Sequence, residues 1–387
     1  MSARLMFHVQ HLLGIGHLRR AATLSRHFAA AGYDTVLTSG GAPVPGLDIG
    51  GAKLVQLPPV RATDKLFKML VDDSGAAIDD AFKARRAEML VDTLRKHRPD
   101  ILFIELFPFG RRQLRFELMP LVEAAKALPT PPRIVSSVRD ILVQSPKPER
   151  VAEMVDLFEH YFDDVLVHGD PAFIPFARTF PEHVRLAEQT HHTGYVIDGL
   201  PRPGNASDVG RDEVIVSAGG GAVGAPLMTA AIDARAGTKV RDLTWRFLCG
   251  HGMPEDDFGA LRAHAARLDP RGIIVERARS DFTTMLANCA LSISQGGYNT
   301  VIETLSVADR AVIAPYAGGL ETEQALRAEL LAERGVFQVV AEDTLSPQTL
   351  AAGVDRALDG PSIRSFPRIS ADGVAKTLSL VHGWLRA

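Results

Sequence analysis

Short apolar runs alternate with longer stretches of helical periodicity along the chain, and no other feature of the sequence constrains the fold as strongly. Such runs are typical of parallel strands buried on both faces, because helices cover both sides of the sheet that they form. Strands are predicted in the first half at residues 5–9, 35–37, 53–57, 101–104, 133–136 and 164–167. A second series begins at residue 213 and continues at residues 244–248, 272–275, 291–294, 311–314 and 337–340. The sequence therefore predicts an α/β protein with two doubly wound sheets.

A segment rich in proline, glycine and short polar residues separates the two series of strands and marks a linker at residues 197–208. With 387 residues, the chain is long enough for two domains that each bury a full core. We expect a Rossmann-like domain over residues 1–200, a linker over 201–212 and a second Rossmann-like domain over 213–370. The last helix, within residues 371–387, is expected to cross back to the first domain.

Composition and charge limit the class of partner and the compartment. The net charge of −3 gives no support for a nucleic-acid partner. No apolar run reaches the roughly 18 residues needed to span a bilayer, and the first residues turn polar too quickly for a signal peptide, so we expect a cytoplasmic protein. Cys249 and Cys289 lack metal-ligand spacing, as do His8 and His11, and the sequence therefore predicts no metal site.

A glycine pair lies between a predicted strand and a predicted helix in the last third of the chain, in the segment Gln295-Gly296-Gly297-Tyr298-Asn299-Thr300-Val301-Ile302-Glu303. Glycines at this position let a diphosphate approach the backbone N–H groups at the positive end of the helix. Glu303, further along the helix, can accept hydrogen bonds from a ribose diol. The pattern predicts a binding site for a nucleotide sugar, with Gly296, Gly297, Asn299, Thr300 and Glu303 as donor contacts.

The first strand-to-helix turn contains Gly14, Gly16, His17 and Arg19. Small glycines permit a tight turn that places His17 at the helix start, beyond the carboxyl end of the strand. Two interpretations stay open for His17, a direct role in the active site and a helix-capping histidine without chemistry. Gly14, Gly16 and Arg19 are expected to form a loop on the acceptor side.

Three carboxylates follow predicted strands of the first half, namely Glu105, Asp140 and Asp170. Each can serve as a general base, bind an acceptor or cap a helix. Capping is favoured for Asp170, because Pro171 follows it directly. Glu105 and Asp140 therefore join His17 as the candidate catalytic residues.

These segments resemble the donor-binding half of GT-B glycosyltransferases, especially the family of the peptidoglycan N-acetylglucosaminyltransferase, whose second domain is the glycosyltransferase family 28 C-terminal domain. The Gly-x-Gly-His-Leu-Arg-Arg element at residues 14–20 and the Arg-Asp-Ile element at residues 139–141 are similar to those of a branch of predicted bacterial glycosyltransferases. The resemblance implies a GT-B fold, with two Rossmann-like doubly wound domains facing a cleft. It also implies that Glu303 holds the ribose and that Glu323 and Gln324 read the sugar hydroxyls.

The resemblance assigns two further segments to the donor. A loop with Gly219, Gly220 and Gly221 corresponds to one that lies beside the donor phosphates, although it matches neither the phosphate-loop nor the dinucleotide pattern. Arg277 and Arg279 fall in the stretch that corresponds to the base-reading loop. These two arginines contact phosphate, stack on the base or are solvated, and the sequence leaves the three alternatives open.

The implied activity is sugar transfer, with inversion, from a nucleotide sugar, expected to be a UDP-sugar, to an acceptor held by the first domain. The nucleotide sugar is a substrate, and neither a cofactor nor a metal is expected. The acceptor class stays open between a small molecule, a glycan and a lipid-linked molecule, as does peripheral contact with a membrane. A GT-B nucleotide-sugar hydrolase shares the Gly-x-Gly-His-x-x-Arg opening, so hydrolysis with His17 as base is an alternative. A non-catalytic nucleotide-sugar sensor and an epimerase of similar fold are further alternatives.

Overall fold

A computed structural model of the chain describes residues 2–12, 14–62, 69–143, 147–197, 207–219, 224–316 and 323–386. Contacts divide the chain into two compact units. Unit 1 comprises Met1–Val196 and Ser370–Ala387, and unit 2 comprises Ile197–Ile369. No helix within the described ranges is both long enough and apolar enough to cross a membrane.

Strands and helices alternate through both units. The strands are β1 (Arg4–Val9), β2 (Asp34–Ser39), β3 (Lys53–Gln56), β4 (Arg61–Ala62), β5 (Leu70–Val71), β6 (Ile101–Glu105), β7 (Arg133–Arg139), β8 (Asp164–His168), β9 (Thr190–His192), β10 (Val214–Ser217), β11 (Trp245–Cys249), β12 (Ile273–Arg277), β13 (Leu291–Ser294), β14 (Ala311–Ile313) and β15 (Gln338–Val339). The helices are α1 (Gly16–Ala30), α2 (Asp80–His97), α3 (Arg115–Lys126), α4 (Pro148–Tyr161), α5 (Ala225–Ala234), α6 (Glu255–Leu268), α7 (Phe282–Asn288), α8 (Tyr298–Val307), α9 (Glu323–Glu333), α10 (Pro347–Asp359) and α11 (Gly373–Trp384).

The main sheet of unit 1 is parallel, with the strand order β3-β2-β1-β6-β7-β8-β9 in the described residues. The chain therefore winds outward from β1 in one direction and from β6 in the other. β1 pairs with β6 in a register that places Leu5 opposite Ile101. The loops that leave these two strands diverge at this point, and such a topological switch point is where open α/β sheets bind ligands.

Unit 2 repeats the same plan with a parallel sheet in the order β12-β11-β10-β13-β14-β15. Its switch point lies between β10 and β13, where Val214 is opposite Leu291. The central strands of both sheets are short buried runs, and helices alternate with the strands along the chain, so the predicted α/β class with two doubly wound sheets is confirmed.

The hydrophobic core of unit 1 fixes α1 against the switch point. Phe7 of β1 and Phe103 of β6 stack with ring centroids 4.3 Å apart, and Phe28 of α1 packs against both rings. Full burial of one phenylalanine side chain contributes about 1.5 to 3 kcal/mol of hydrophobic free energy. This contact holds the helix that carries His17 to the two central strands.

The chain returns to unit 1 at its C-terminal end. The Tyr195 N–H donates to the Ser370 carbonyl at 2.7 Å, and the Gly373 N–H donates to the Tyr195 carbonyl at 3.1 Å. Helix α11 then buries Val381 in the core that contains α1. A Cβ on Gly373 would lie 2.6 Å from the Tyr195 carbonyl oxygen, so a glycine is needed where the two segments meet.

Several strands run further than the apolar pattern predicts. The predicted strand at 101–104 ends at Glu105, and the one at 133–136 continues to Arg139. An apolar run stops at its first polar residue, whereas the backbone ladder continues as long as the neighbouring strand offers partners. The polar ends of β6 and β7 are therefore held rigidly by the sheet.

Candidate active site

His17 and Glu105 form a hydrogen-bonded pair at the switch point of unit 1. His17 lies in the first turn of α1, directly after β1, and Glu105 is the last residue of the adjacent strand β6. His17 Nδ1 is 2.7 Å from Glu105 Oε1, and the histidine side chain retains 14% exposure while that of the glutamate retains 3%. A solvent-reachable imidazole oriented by a buried carboxylate is the arrangement of a general base.

Arg20 lies one turn further along α1 and also contacts Glu105. Its Nη2 donates to Glu105 Oε1 from a buried position. Burial by itself disfavours an ionised Glu105, but the charge of Arg20 and the hydrogen bond from His17 outweigh it and hold the pKa of Glu105 well below its usual range. Burial, together with the positive charge of Arg139, lowers the pKa of His17 from its ordinary value, although Glu105 opposes this shift. At neutral pH the pair therefore consists of a carboxylate and a neutral imidazole.

A chain of buried hydroxyl and imidazole groups continues inward from Glu105. Ser137 Oγ of β7 donates to Glu105 Oε2 at 2.8 Å, and His168 Nε2 of β8 lies 3.1 Å from the same Ser137 oxygen. On the far side of the ring, His168 Nδ1 lies 2.8 Å from Thr193 Oγ1. Neighbouring strands thus place their polar ends in one row at the carboxyl edge of the sheet.

Asp140 is held inside the protein. Its Oδ2 accepts a hydrogen bond of 2.8 Å from the Tyr195 hydroxyl, and both residues are fully buried. A Cβ on Gly169 would lie 2.5 Å from the Asp140 Cβ, so the residue that follows β8 packs closely against Asp140. The structure therefore joins Glu105 directly to His17 and ties Asp140 to Tyr195, near the return of the chain to unit 1.

Of the three residues predicted to form the acceptor-side loop, Gly14 and Arg19 are exposed and Gly16 is half-buried. Gly16 is the first residue of α1, and Gly14 is exposed with no atom within 4 Å of an added Cβ. Arg19 is exposed as well, and its backbone N–H donates to the Ile15 carbonyl at 2.9 Å. Consecutive helix positions point about 100° apart, which is why Arg19 faces outward and Arg20 faces Glu105.

Two buried histidines predict a loss of stability in mild acid. Burial, reinforced by Arg86 for His8 and by Arg20 for His168, lowers the pKa of each to about 3 from 6.5. Below pH 6.5 these histidines therefore bind protons in the unfolded chain but stay neutral in the native state. The free energy of unfolding falls as the pH decreases from 6.5 towards 3. We expect about 2 kcal/mol less unfolding free energy per histidine at about pH 5 than at about pH 7.

Urea denaturation of the full chain at the two pH values measures this difference. A His8→Gln variant should lose about 2 kcal/mol of this difference, because it removes one buried histidine whose pKa is lowered, while His168 and His17 remain. An unfolding free energy that stays constant between the two pH values would show that neither histidine is refused its proton.

Unit 2 brings its predicted donor loops together at its own switch point. Gly219 follows β10 with a φ of +69°, and its N–H donates to Ser217 Oγ at 3.3 Å. A Cβ on Gly219 would lie 3.8 Å from Thr300 Oγ1 in the first turn of α8. The loops after β10 and β13 are thus neighbours. Gly220 and Gly221 lie outside the described residues.

The two glycines of the pair differ in their surroundings. A Cβ on Gly296 would lie 3.0 Å from the Gln324 carbonyl oxygen and 3.3 Å from the Pro315 Cβ, so this glycine permits close packing of two loops. A Cβ on Gly297 would have no neighbour within 4 Å. Gly297 is the N-cap of α8 and makes no side-chain cap, so open space lies beside the start of the helix.

Asn299 and Glu303 lie one turn apart on α8, and both are half-buried. Residues at this spacing share one face of a helix, so the predicted ribose contact and Asn299 lie on the same side. Glu303→Ala should weaken nucleotide-sugar binding by about 1 to 3 kcal/mol, through the loss of charge-assisted hydrogen bonds to a ribose diol. Calorimetry with UDP measures this loss. An unchanged affinity in a folded variant would remove Glu303 from the site.

Arg327 of α9 connects the two predicted donor elements, and sequence reasoning missed it. This fully buried arginine donates from Nη2 to Glu323 Oε1 at 2.9 Å and from Nη1 to the Gly296 carbonyl at 3.3 Å. Gln324 Oε1 accepts from the Tyr316 N–H at 3.2 Å. The glycine pair and the residues at 323–324 are therefore brought together, with Glu323 next to a positive charge.

Arg277 and Arg279 are engaged within unit 2. Arg277 Nη1 donates to the carbonyls of Gly250 at 3.1 Å and Met253 at 2.9 Å, and its guanidinium lies 4.1 Å from the Phe258 ring centre. Arg279 is exposed and makes a paired contact with Asp281 at 2.7 and 2.9 Å. Arg277 thus holds the loop after β11, which is a different use from the base or phosphate contact considered above.

Residues 266–376 match the family model of the glycosyltransferase family 28 C-terminal domain. Over 142 residues the chain is 28% identical to the UDP-N-acetylglucosamine–N-acetylmuramyl-(pentapeptide) pyrophosphoryl-undecaprenol N-acetylglucosamine transferase of Rhizobium johnstonii. That alignment covers 37% of this chain and 38% of the relative, so the chain spans well under half the length of the curated relative that it matches.

Two solved structures share the fold over nearly the whole chain. The calicheamicin glycosyltransferase CalG4 superposes with a TM-score of 0.66 at 16% identity and covers 100% of this chain and 99% of its own. Acinetobacter baumannii MurG superposes with a TM-score of 0.61 at 14% identity and covers 98% of this chain and 99% of its own.

These matches confirm the predicted GT-B fold and the predicted relationship to the peptidoglycan N-acetylglucosaminyltransferase family. The family match contains the glycine pair, Glu303 and the residues at 323–324, whereas the pair of His17 and Glu105 lies outside it. Among the described residues, no group of three or more His, Cys, Asp or Glu side chains is placed to hold a metal ion.

Proposed function

We propose that this protein is a glycosyltransferase that transfers a sugar from a nucleotide-sugar donor, a UDP-sugar, to an acceptor hydroxyl. The donor binds at the switch point of unit 2, and the acceptor binds at that of unit 1. The observation that carries the proposal is the pair formed by His17 and Glu105, which supplies a general base at the end of the central strands. The family match over residues 266–376 supports the assignment of the donor to unit 2.

In the proposed reaction one proton is transferred, one bond to the anomeric carbon forms and one bond to it breaks. His17 donates its Nδ1–H to Glu105, so its Nε2 takes the proton of the acceptor hydroxyl. The acceptor oxygen attacks the anomeric carbon while the bond from that carbon to the diphosphate oxygen breaks and its electron pair leaves with UDP. Attack opposite the leaving group inverts the anomeric carbon.

The departing diphosphate is stabilised at the start of α8. Gly297 leaves open space there, and the first N–H groups of a helix carry partial positive charge that favours an anion. Helix dipoles and N–H groups aimed at the developing charge act in the transition state. No cofactor or metal has a role in this scheme. We assign Glu303 to the ribose, and Glu323 and Gln324, brought to the glycine pair by Arg327, to the sugar hydroxyls.

The acceptor is proposed to be a hydroxyl compound, and the curated relative named above acts on a lipid-linked one. We place the reaction in the cytoplasm, where nucleotide sugars are substrates, with a lipid-linked acceptor requiring contact with the membrane surface. Nucleic acid has no part in it.

Hydrolysis of the nucleotide sugar is the second candidate, since the same pair can take a proton from water. Epimerisation is distinguished from both by its product, because the sugar then stays on the nucleotide. A hydrolase should release free sugar at its full rate without any acceptor, whereas a transferase should release it slowly and form a glycoside when the acceptor is added.

A thermal-shift screen tests the donor assignment first. UDP, dTDP and GDP, each free and carrying glucose or N-acetylglucosamine, are added to the full chain at graded concentrations. A ligand at about a hundred times its dissociation constant stabilises the native state by about 2.7 kcal/mol, which is readily measured. We expect stabilisation by UDP and by a UDP-sugar. A protein stabilised by none of the panel would contradict the proposed function.

A further inference from the structure

Glu105 receives hydrogen bonds from opposite sides, and this fixes where several protons lie. The ionised carboxylate accepts and cannot donate. His17 Nδ1, 2.7 Å from Oε1, must therefore carry a hydrogen, and so must Ser137 Oγ, 2.8 Å from Oε2. Because a neutral imidazole carries one N–H, His17 Nε2 is left with a bare lone pair.

The same reasoning fixes the tautomer of His168. The single hydrogen of Ser137 Oγ goes to Glu105, so His168 Nε2, 3.1 Å from that oxygen, must be the donor. His168 Nδ1 is then an acceptor, so the one hydrogen of the Thr193 hydroxyl, 2.8 Å away, points to this nitrogen rather than to the Gly194 carbonyl, which lies 2.9 Å from the same oxygen. The donors run in one direction, from Thr193 through His168 and Ser137 to Glu105.

We propose that Ser137 and His168 are positioning residues that act through Glu105 to hold His17 in the tautomer with a bare Nε2 and to keep that nitrogen unprotonated. The inference rests on the proposed function for the role of His17 as base. The chain of hydrogen bonds is buried, and Ser137 and His168 lie at the ends of strands whose ladders fix their backbones. Ser137 and His168 contribute by fixing the orientation of the Glu105 carboxylate and by stabilising its negative charge.

Ser137 restrains the basicity of His17 by drawing on the charge of Glu105. A hydrogen bond to Oε2 stabilises the carboxylate and weakens its attraction for an imidazolium on Oε1. Arg20, on the same helix as His17, also stabilises the Glu105 carboxylate by donating to it. The positive charges of Arg139 at the end of β7 and Arg111 in the loop after β6 lower the pKa of His17 directly. Glu105 opposes them, and His168 faces Glu105 from β8 as a neutral ring.

Removal of the Ser137 hydroxyl should therefore make His17 more basic. In Ser137→Ala the pKa of His17 is expected to rise by about half a unit to one unit. This is less than the full free energy of a charge-assisted hydrogen bond to Glu105, because only part of that energy is felt by the imidazole. The acid limb of the pH–rate profile should move upward by the same amount. Ser136→Ala is the matched control, because it removes a neighbouring buried hydroxyl of β7 that donates to the Phe107 carbonyl at 2.8 Å instead.

Two-bond 1H–15N spectra of the full chain labelled with 15N-histidine report both tautomers directly, without any substrate. Near neutral pH we expect His17 as the Nδ1–H form and His168 as the Nε2–H form, with the signals assigned by loss in His17→Ala and His168→Gln. His168→Gln keeps an N–H donor for Ser137 and should preserve the His17 titration, whereas His168→Leu should shift it as Ser137→Ala does.

An Nε2–H tautomer of His17 in the unmodified protein would overturn the inference, and so would an Nδ1–H tautomer of His168. These two observations do not depend on the folding of any variant. Equal His17 titrations in Ser137→Ala and Ser136→Ala would also overturn it. Failure of the proposed function gives a different result. The protein would then show both expected tautomers but bind no nucleotide sugar.

Discussion

His17→Ala is expected to lower kcat by about a hundredfold to ten-thousandfold, the range that a positioned general base contributes, while the affinity for the nucleotide-sugar donor stays nearly constant. The physical reason is that the imidazole contacts Glu105 in unit 1, whereas the donor residues lie in unit 2. Turnover with acceptor, measured at saturating donor, gives kcat, and calorimetry with the UDP-sugar gives the affinity.

His27→Ala is the matched control, since it removes a histidine from the last turn of the same helix. It should leave kcat and donor affinity unchanged, because His27 lies about three turns from the first residues of α1. Turnover that survives His17→Ala would exclude His17 as the base. An equal loss in both variants would indicate that α1 has been disturbed as a whole, and circular dichroism would show that change.

The fold was largely predictable because it depends on local patterns. Buried parallel strands need continuous apolar runs, and the predicted runs fall on the strands of both main sheets except β9, whose residues Thr190–His192 are polar. The polar ends of strands were less visible. Glu105 and Arg139 lie inside β6 and β7, although the apolar pattern places both beyond the strand ends.

The site in unit 1 was predictable only in part, because its geometry depends on strand order. His17 and Glu105 were each selected as polar residues after apolar runs, but their contact follows from the pairing of β1 with β6. The sequence did not indicate a role for Ser137 or His168. A serine within the apolar strand β7 and a histidine at the end of β8 look like ordinary core residues. Arg20 stood within a selected motif, and only the helix phase shows that it turns inward.

The donor side in unit 2 shows the same limit. Arg327 occurs in a segment of charged and apolar residues that looks like an ordinary amphipathic helix, yet it joins Glu323 to the Gly296 carbonyl. Its partners are brought together by the packing of α9 against the loop after β13, which is a long-range contact. The two glycines of the pair are also indistinguishable in sequence, and the structure separates their roles by what lies next to each.

This difference between Gly296 and Gly297 gives the second large effect. Gly297→Val should lower the affinity for UDP and for a UDP-sugar by about a hundredfold, which corresponds to about 2.7 kcal/mol, because the side chain fills the space through which a diphosphate reaches the N–H groups of α8. Gly297→Ala should have the same effect in weaker form. Gly296→Ala is unsuited to this test, because its Cβ would meet the Gln324 backbone at 3.0 Å.

The stability of the Gly297 variants should remain close to that of the unmodified protein. Gly297 has a φ of −64°, which any residue adopts, and an added Cβ meets no atom within 4 Å. Loss of a glycine N-cap costs up to about 1 kcal/mol, and the reduced freedom of the unfolded chain returns about 0.4 to 1 kcal/mol, so the two effects nearly cancel. Gly259→Ala, at another open glycine in α6, controls for the substitution itself. A folded Gly297→Val protein that binds UDP as tightly as the Gly259→Ala control would place the diphosphate elsewhere, since a side chain in its path cannot leave that contact intact.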